Sequence, residues 1–418
     1  MIGKAGDIAI VKLNLITASN VQIDISKIFA DIQLNEDLFS NTLKGIITIN
    51  DHLDLLSTIP LIGGEIIELE CFTPGLETKE DKVSLKFQIH KISNRVRTSA
   101  DSQVYNVHIA TPEFIVNEVN KISTYLSGNV SSSVEKIFHN EKYLNSPRPL
   151  SIPEIPDNEI TFTTPYWTPF KIINALAARS IRKKDRTADF IFFETITKGF
   201  QFLPITKLFE SGDTVFRYGN TGVYNAGDGY DINKDYSTVR SVYVDEVFDL
   251  IKKAQSGFFN ARLLTANLTT KSLFNTSITQ DEYFPKYSHL NTEKPDNNVP
   301  VSKNATMFSF VNQEYSFNNQ RDLNFQEWFL QRINFFSGLT NTYKLNIHVP
   351  GRFDVGIGRM VTLDFEMIRK HNTDEKTLKE ITEKSSGRFL ITSANHIITA
   401  NNRHYMTLEL VTDSLVKR

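Results

Sequence analysis

The chain has 418 residues, 40% of them hydrophobic and 22% charged, which is typical of a globular protein with two to four domains. A formal net charge of -2 gives no support for nucleic-acid binding through a basic surface, and we expect no specific nucleic-acid binding. The single cysteine, Cys71, excludes an internal disulfide and a zinc site built from several cysteines. No run of 18 apolar residues occurs, so no transmembrane helix is expected.

Residues 1–111 follow the pattern of a β domain, in which alternate side chains face opposite sides of a strand. The first seven residues lack the basic and apolar parts of a signal peptide, so we expect folding in a reducing cytoplasm. Residues 31–37 are interpreted as a polar link, and Cys71 as a small buried residue on a strand. Strands are expected at residues 8–16, 21–29, 43–49 and 83–89.

Residues 112–208 change in character and are interpreted as an inserted α/β module. Helices are expected at residues 113–122 and 132–138, and a third helix follows the cap at Thr168 with Pro169 in its first turn. Residues 189–194 and 199–203 are rich in phenylalanine and turn at a glycine, which predicts a hairpin.

The remainder predicts a second β domain in two parts, residues 209–320 with long loops and insertions, and residues 321–418 with a helix and closing strands. Val244, Phe248 and Ile251 have helical spacing, which favours a helix that ends at Gly257. A helix is also expected over residues 325–337, ended by Gly338. The loops at residues 218–236 and 368–384 have no pattern to which we can assign a role.

Three blocks of the first domain recur in the same order near the end of the chain. The blocks at residues 64–69, 87–90 and 105–109 match those at residues 358–363, 389–392 and 405–409 in alternation. The repeat predicts a duplicated β domain in which Phe87 superimposes on Phe389 and Tyr105 on Tyr405. The alternative is that any two β meanders look alike.

No catalytic signature is present, so we predict no catalytic, cofactor-binding or metal-binding residues and expect the chain not to be an enzyme. His396 and His404 flank one predicted turn and are interpreted as a surface pair rather than a metal site. The glycines at residues 219–229 lack the Lys-Ser/Thr of a phosphate loop. Three further groups are interpreted as solvent-exposed side chains rather than functional sites. They are the cations of residues 179–186, the acidic residues 228–235, and the pair Glu65 and Glu68.

Several segments together resemble the baseplate hub proteins of contractile-tailed bacteriophages. The similar segments, in chain order, are residues 37–39, 43–51, 60–65, 192–195, 199–202, 257–260, 349–351 and 386–393. The resemblance implies an α+β, mainly antiparallel β fold, with two tail-tube-like β-barrel or sandwich domains around the inserted module.

The resemblance also implies a structural virion component located in the tail baseplate and assembled in the host cytoplasm. Three chains would form a pseudo-sixfold ring that joins the sixfold tail tube to the threefold central spike. The implied partners are the spike protein, the tail tube protein, baseplate wedge proteins and, as a further candidate, the tape measure protein. No membrane is implied, and DNA could pass through the ring.

Two other functions stay open at the level of sequence. One is the same hub role in a cell-encoded contractile injection system, which the sequence does not separate from a phage. The other is a hydrolase acting on cell-wall glycan, because pairs of carboxylates such as Glu65 and Glu68 do not by themselves exclude it.

Overall fold

One large sheet of 13 strands dominates the computed structural model of the chain. The structure describes residues 4–59, 61–76, 82–99, 101–218, 231–246, 248–267, 271–295, 306–311, 325–365 and 387–416. With one exception, the strand pairs of this sheet are antiparallel, so the expected α+β, mainly antiparallel β fold is confirmed. No helix within these ranges is long and apolar enough to cross a membrane.

The first part of the chain supplies one half of the large sheet, in the order β3-β4-β7-β6-β5-β1-β2. Its elements are β1 (Ala9–Ile16), β2 (Gln22–Asp24), β3 (Phe29–Asp37), β4 (Lys44–Asp51), α1 (Leu55–Thr58), β5 (Ile66–Phe72), β6 (Lys82–Arg97) and β7 (Gln103–Ala110). Alternate side chains of these strands are buried in a first hydrophobic core. The interpretation of residues 31–37 as a link is wrong, since Ile32 and Leu34 are buried on β3 at alternate positions.

The middle of the chain forms helices and small sheets around a core of its own. Its elements are α2 (Pro112–Val119), β8 (Tyr125–Asn129), α3 (Val130–His139), β9 (Leu150–Ser151), β10 (Glu159–Thr163), α4 (Pro169–Arg179), β11 (Phe190–Thr195), β12 (Gly199–Pro204) and α5 (Ile205–Leu208). The β11–β12 hairpin separates two cores. Phe190 and Phe192 pack inside the middle part, whereas Ile191 and Phe193 pack against the second half of the large sheet.

The last part of the chain supplies the other half of the large sheet and a separate three-stranded sheet, β16-β15-β17. Its helices are α6 (Ile232–Tyr236), α7 (Leu250–Ser256), α8 (Gln280–Tyr283) and α9 (Phe325–Asn341). Its strands are β13 (Asp213–Tyr218), β14 (Ser241–Glu246), β15 (Asn260–Asn267), β16 (Ser272–Thr279), β17 (Thr306–Val311), β18 (Tyr343–Pro350), β19 (Met360–Phe365), β20 (Gly387–Thr399) and β21 (Arg403–Thr412).

Two helix predictions in this part need correction. Val244 lies on strand β14, because pairing of β14 with β18 outweighs the helical spacing of the apolar residues. The helix that Gly257 ends begins only at Leu250. Helix α9 continues past Gly338, where a Cβ atom would lie 2.8 Å from the Phe258 ring, so this glycine permits close packing rather than ending the helix.

The pairing of strands repeats between the two halves of the large sheet. Ile67 on β5 pairs with Phe87 on β6, and Val361 on β19 pairs with Phe389 on β20. Each long strand then has a register shift at the same place, after Ile89 in β6 and after Ile391 in β20. Phe87 and Phe389 therefore occupy equivalent positions, as the repeat predicts.

The predicted match of Tyr105 with Tyr405 is wrong by one residue. Ile109 pairs opposite Ile89, and Leu410 pairs opposite Ile391, so counting back four residues matches Tyr105 with Met406. Both of these side chains are fully buried, whereas Tyr405 is half exposed. The halves also differ in one pair, since β13 lies parallel to β19 while β1 is antiparallel to β5. The predicted domain boundaries stay predictions.

Candidate assembly site: the junction between the two half-sheets

The two half-sheets join through one antiparallel strand pair, which we call the in-chain junction. Strand β3 pairs with β20 from Asp37 opposite Ser393 to Asp31 opposite Thr399. The same edge of β20 is occupied by β19 at its start, and β21 runs along the other edge. The junction thus closes two strand edges that would otherwise expose unpaired N–H and C=O groups.

Apolar side chains cross the in-chain junction in both directions. Leu38, immediately after β3, is fully buried in the core of the second half, and its N–H donates to the Thr392 carbonyl at 2.8 Å. Ile398 and Phe353 come from the second half and are buried in the core of the first. Because each half completes the core of the other, the junction is built as a permanent contact.

A buried carboxylate, Glu36, holds three parts of the chain together at this junction. One of its oxygens accepts a hydrogen bond from the Ile196 N–H at 2.6 Å, on the turn between β11 and β12. The other lies 3.4 Å from Nε2 of His396, whose Nδ1 is 3.0 Å from Nε2 of His404. Glu36 is 2% exposed, so these contacts supply the polar partners that a buried carboxylate requires.

The two histidines are core residues, so their interpretation as a surface pair is wrong. Phe353 stacks on His396 with ring centroids 5.6 Å apart and contacts His404 in a tilted arrangement at 4.7 Å. Burial, with a smaller contribution from His396, lowers the pKa of His404 well below its usual value. A Cβ atom on Gly351 would lie 2.1 Å from Cγ of His404, which explains the glycine. Across the described ranges, no group of three or more His, Cys, Asp or Glu side chains is arranged to hold a metal ion.

A second buried carboxylate, Glu194 on β11, attaches the middle part of the chain to the first half-sheet. It accepts hydrogen bonds from the Leu43 N–H at 2.9 Å and from the Thr111 hydroxyl at 2.6 Å. Arg148 donates to its other oxygen. Burial raises the pKa of Glu194, and the charge and hydrogen bonds of these partners oppose that rise. The arrangement fixes the β11–β12 hairpin against the turn between β3 and β4.

The cations of residues 179–186 differ in exposure: Lys183, Lys184 and Arg186 are exposed, as expected, whereas Arg182 is not. Arg182 is 1% exposed and forms ion pairs with Glu154, Asp185 and Glu210 at 2.8–3.3 Å. With its charge matched by three carboxylates, this guanidinium is a structural element rather than a phosphate contact.

The carboxylates considered for other chemistry also have structural partners. Glu65 and Glu68 are buried, not solvent-facing. Glu65 accepts hydrogen bonds from the N–H groups of residues 62 and 63, and Glu68 pairs with two lysines. Asp231 caps helix α6 through the Asn233 and Lys234 N–H groups. The glycines and acidic residues at positions 219–230, and the segment 368–384, lie outside the described residues.

Cys71 is buried on β5 as expected, and burial raises the pKa of its thiol. Sequence reasoning missed Glu36 and Leu38, which organise the junction. The signal that could have found them is the alternation of Ile32, Leu34, Glu36 and Leu38, which puts a carboxylate on the buried face of a strand.

Two solved structures of tail proteins share this fold along almost their whole length. The 43 kDa tail protein of prophage MuSo2 from Shewanella oneidensis aligns with a TM-score of 0.56 and 10% identity, covering 97% of this chain and 99% of that one. The tail protein from Neisseria meningitidis MC58 aligns with a TM-score of 0.55 and 9% identity, covering 96% of both chains. No family model and no curated protein matches the sequence. The chain therefore has the fold of phage tail proteins.

Proposed function

We propose that the chain is a structural component of a virion tail, the hub of a baseplate. Three copies form a closed ring with pseudo-sixfold symmetry that joins a sixfold tail tube to a threefold central spike. The observation that carries this proposal is the repeated strand pairing of the two half-sheets, centred on Phe87 and Phe389. A threefold ring presents six similar faces to a sixfold tube when each chain contains two similar units.

The fold shared with the two tail proteins supports a role in the tail, and the residues considered for chemistry support a role without catalysis. Within the described ranges, Arg182, Glu65 and Asp231 are engaged in ion pairing, hydrogen bonding and helix capping. On this proposal the partners are the spike, the tail tube and baseplate wedge proteins, with the tape measure protein as a further candidate. The middle part of the chain would lie outside the β ring.

The mass of the particle in solution tests this proposal. Light scattering should give three times the 47.7 kDa of one chain for the protein alone, or three chains plus the mass of the bound spike after the cognate spike is added. An obligate ring of this kind should bury roughly 2,000 Å² or more in total. A monomer in both conditions would contradict the hub role. A cell-wall clearing assay on the same sample should show no activity, because the proposal assigns no hydrolase.

A further inference from the structure

Strands β3 and β20 pair with each other in the in-chain junction. Their counterparts in the opposite half-sheets have the same edges, but those edges have no partner in the described part of the chain. Ile32 of β3 and Val242 of β14 pair with Ile47 and Ile347, which occupy equivalent positions on β4 and β18. Strand β14 is therefore the counterpart of β3. In the described part of the chain β14 pairs with β18 alone, so its other edge is open.

The second open edge is on β6, the counterpart of β20. Strand β5 pairs with β6 from Phe72 opposite Lys82 to Ile66 opposite Gln88. Beyond that point, no described strand pairs with residues 91–97 on the edge that β5 occupies, although β7 continues along the other edge. The matching stretch of β20 is residues 393–398, since β6 has one extra residue at a register shift between Ser93 and Val96, and β3 fills this stretch in the in-chain junction.

We propose that these two edges pair with each other between neighbouring copies of this chain. Strand β14 of one copy lies antiparallel to residues 91–97 of the next and repeats the in-chain junction between subunits. This inference rests on the proposed ring and specifies the strands that close it. Each copy offers one edge of each kind, so three copies close without leaving either edge open.

The register of the proposed pair follows from the in-chain junction. Ile397 pairs with Gln33 there. Val96 is the counterpart of Ile397, because both lie opposite equivalent residues of β7 and β21, Val104 and Tyr405. Tyr243 is the counterpart of Gln33, since its partner Asn346 on β18 is equivalent to Ile46 on β4. Val96 of one copy should therefore lie opposite Tyr243 of the next.

The side chains on the two edges support this pairing. Val96 is 58% exposed and Tyr243 is 63% exposed in the single chain, so the proposed pairing would cover apolar surface that the single chain leaves in water. Residues 91–97 include Lys91, Arg95 and Arg97, whereas β14 carries Asp245, so the edges are complementary in charge.

An exposed apolar residue lies next to the position that corresponds to Leu38. Leu38 follows β3 and is fully buried in the opposite half. Because β14 has a register shift between Val244 and Glu246, the counterpart of Leu38 is Asp249, and Phe248, one residue before it, is 62% exposed in the single chain. On the proposed pairing, Phe248 contacts the neighbouring copy near the place where Leu38 crosses within the chain.

Cysteine cross-linking tests the pairing directly. The variant combines Val96→Cys with Tyr243→Cys. It is mixed with the spike and then treated with a short thiol-specific cross-linker. Strands β14 and β6 lie seven strand spacings apart in the sheet order, about 34 Å along the sheet, so a cross-link joins two chains. Cys71 is buried and should react poorly. The matched control pairs Val96→Cys with Val11→Cys, a residue that is 66% exposed on β1.

We expect covalent dimers and a closed three-chain product from the first variant and neither from the control. A trimer by mass that does not cross-link at these positions would overturn the pairing and leave the hub role intact. Absence of both trimer and cross-link would overturn both. Cross-linked chains that extend beyond three copies would support the pairing and contradict the closed ring.

A charge reversal provides a second test at positions that are exposed in the single chain. Arg95→Glu should raise the concentration needed for half assembly by roughly two- to fivefold, because it places like charges across the junction. Adding Asp245→Lys should restore assembly. Failure of the second change to restore assembly, with both variants folded, would count against attraction between the charges of the two edges.

Discussion

Leu38→Ala tests whether the in-chain junction is a fused core rather than a contact between independent halves. The side chain of Leu38 is fully buried among residues of the second half, although the residue belongs to the first part of the chain. Truncating a fully buried leucine removes its transfer free energy and leaves a cavity, so the free energy of unfolding should fall by ~2–5 kcal/mol. The backbone hydrogen bond from Leu38 to Thr392 should persist, because it does not involve the side chain.

Urea unfolding, monitored by far-ultraviolet circular dichroism, measures this decrease in the free energy of unfolding for the transition that melts the large sheet. The matched control is Leu53→Ala, since Leu53 is 60% exposed and its truncation should change the free energy by less than about 0.5 kcal/mol. Equal effects of the two substitutions would refute the fused junction. So would a Leu38→Ala protein in which the two halves unfold at separate denaturant concentrations while the wild type unfolds in one step.

Two further predictions concern close packing and charge. Gly351→Ala should sharply lower the thermal midpoint or the soluble yield, because the new methyl group would overlap the His404 ring, whereas Gly212→Ala meets no atom within 4 Å and should be tolerated. Asp213→Asn should lower the thermal midpoint at neutral pH, because Asp213 accepts two hydrogen bonds of 2.8 Å from Arg388, which lower the pKa of this carboxyl below its usual value. That stabilisation exists above the unfolded pKa and is lost as the pH falls through the folded pKa, so melting curves of the two proteins should converge once the pH is below the folded pKa of Asp213. A difference that persists at lower pH would contradict this assignment.

The order of the blocks was sufficient to predict the repeat but not its register throughout. Phe87 and Phe389 were matched correctly, and each lies two residues before the register shift of its strand. Tyr105 was matched with the tyrosine at position 405, although its buried face, Tyr105, Val107 and Ile109, corresponds to Met406, Leu408 and Leu410. The register shifts themselves arise from the pairing of two strands, and one strand's sequence does not show them.

The junction was missed because its strands are stabilised by distant partners. Residues 31–37 contain a polar side chain, Glu36, at a position that the strand buries. Glu36 is tolerated there because its partners, Ile196 and His396, come from 160 and 360 residues further along the chain. Likewise Val244, Phe248 and Ile251 have helical spacing, but β14 is selected by pairing with β18, which follows about a hundred residues later.

An image reconstruction of the assembled ring, calculated without imposed symmetry, tests the central claim most directly. The account predicts three chains that contribute six similar β units, with the in-chain junction alternating with the proposed β14–β6 junction around the ring. The middle part of each chain should project outside, so that threefold symmetry is visible at the periphery. A ring of six chains with true sixfold symmetry, or an assembly in which β14 and residues 91–97 remain exposed, would contradict the account.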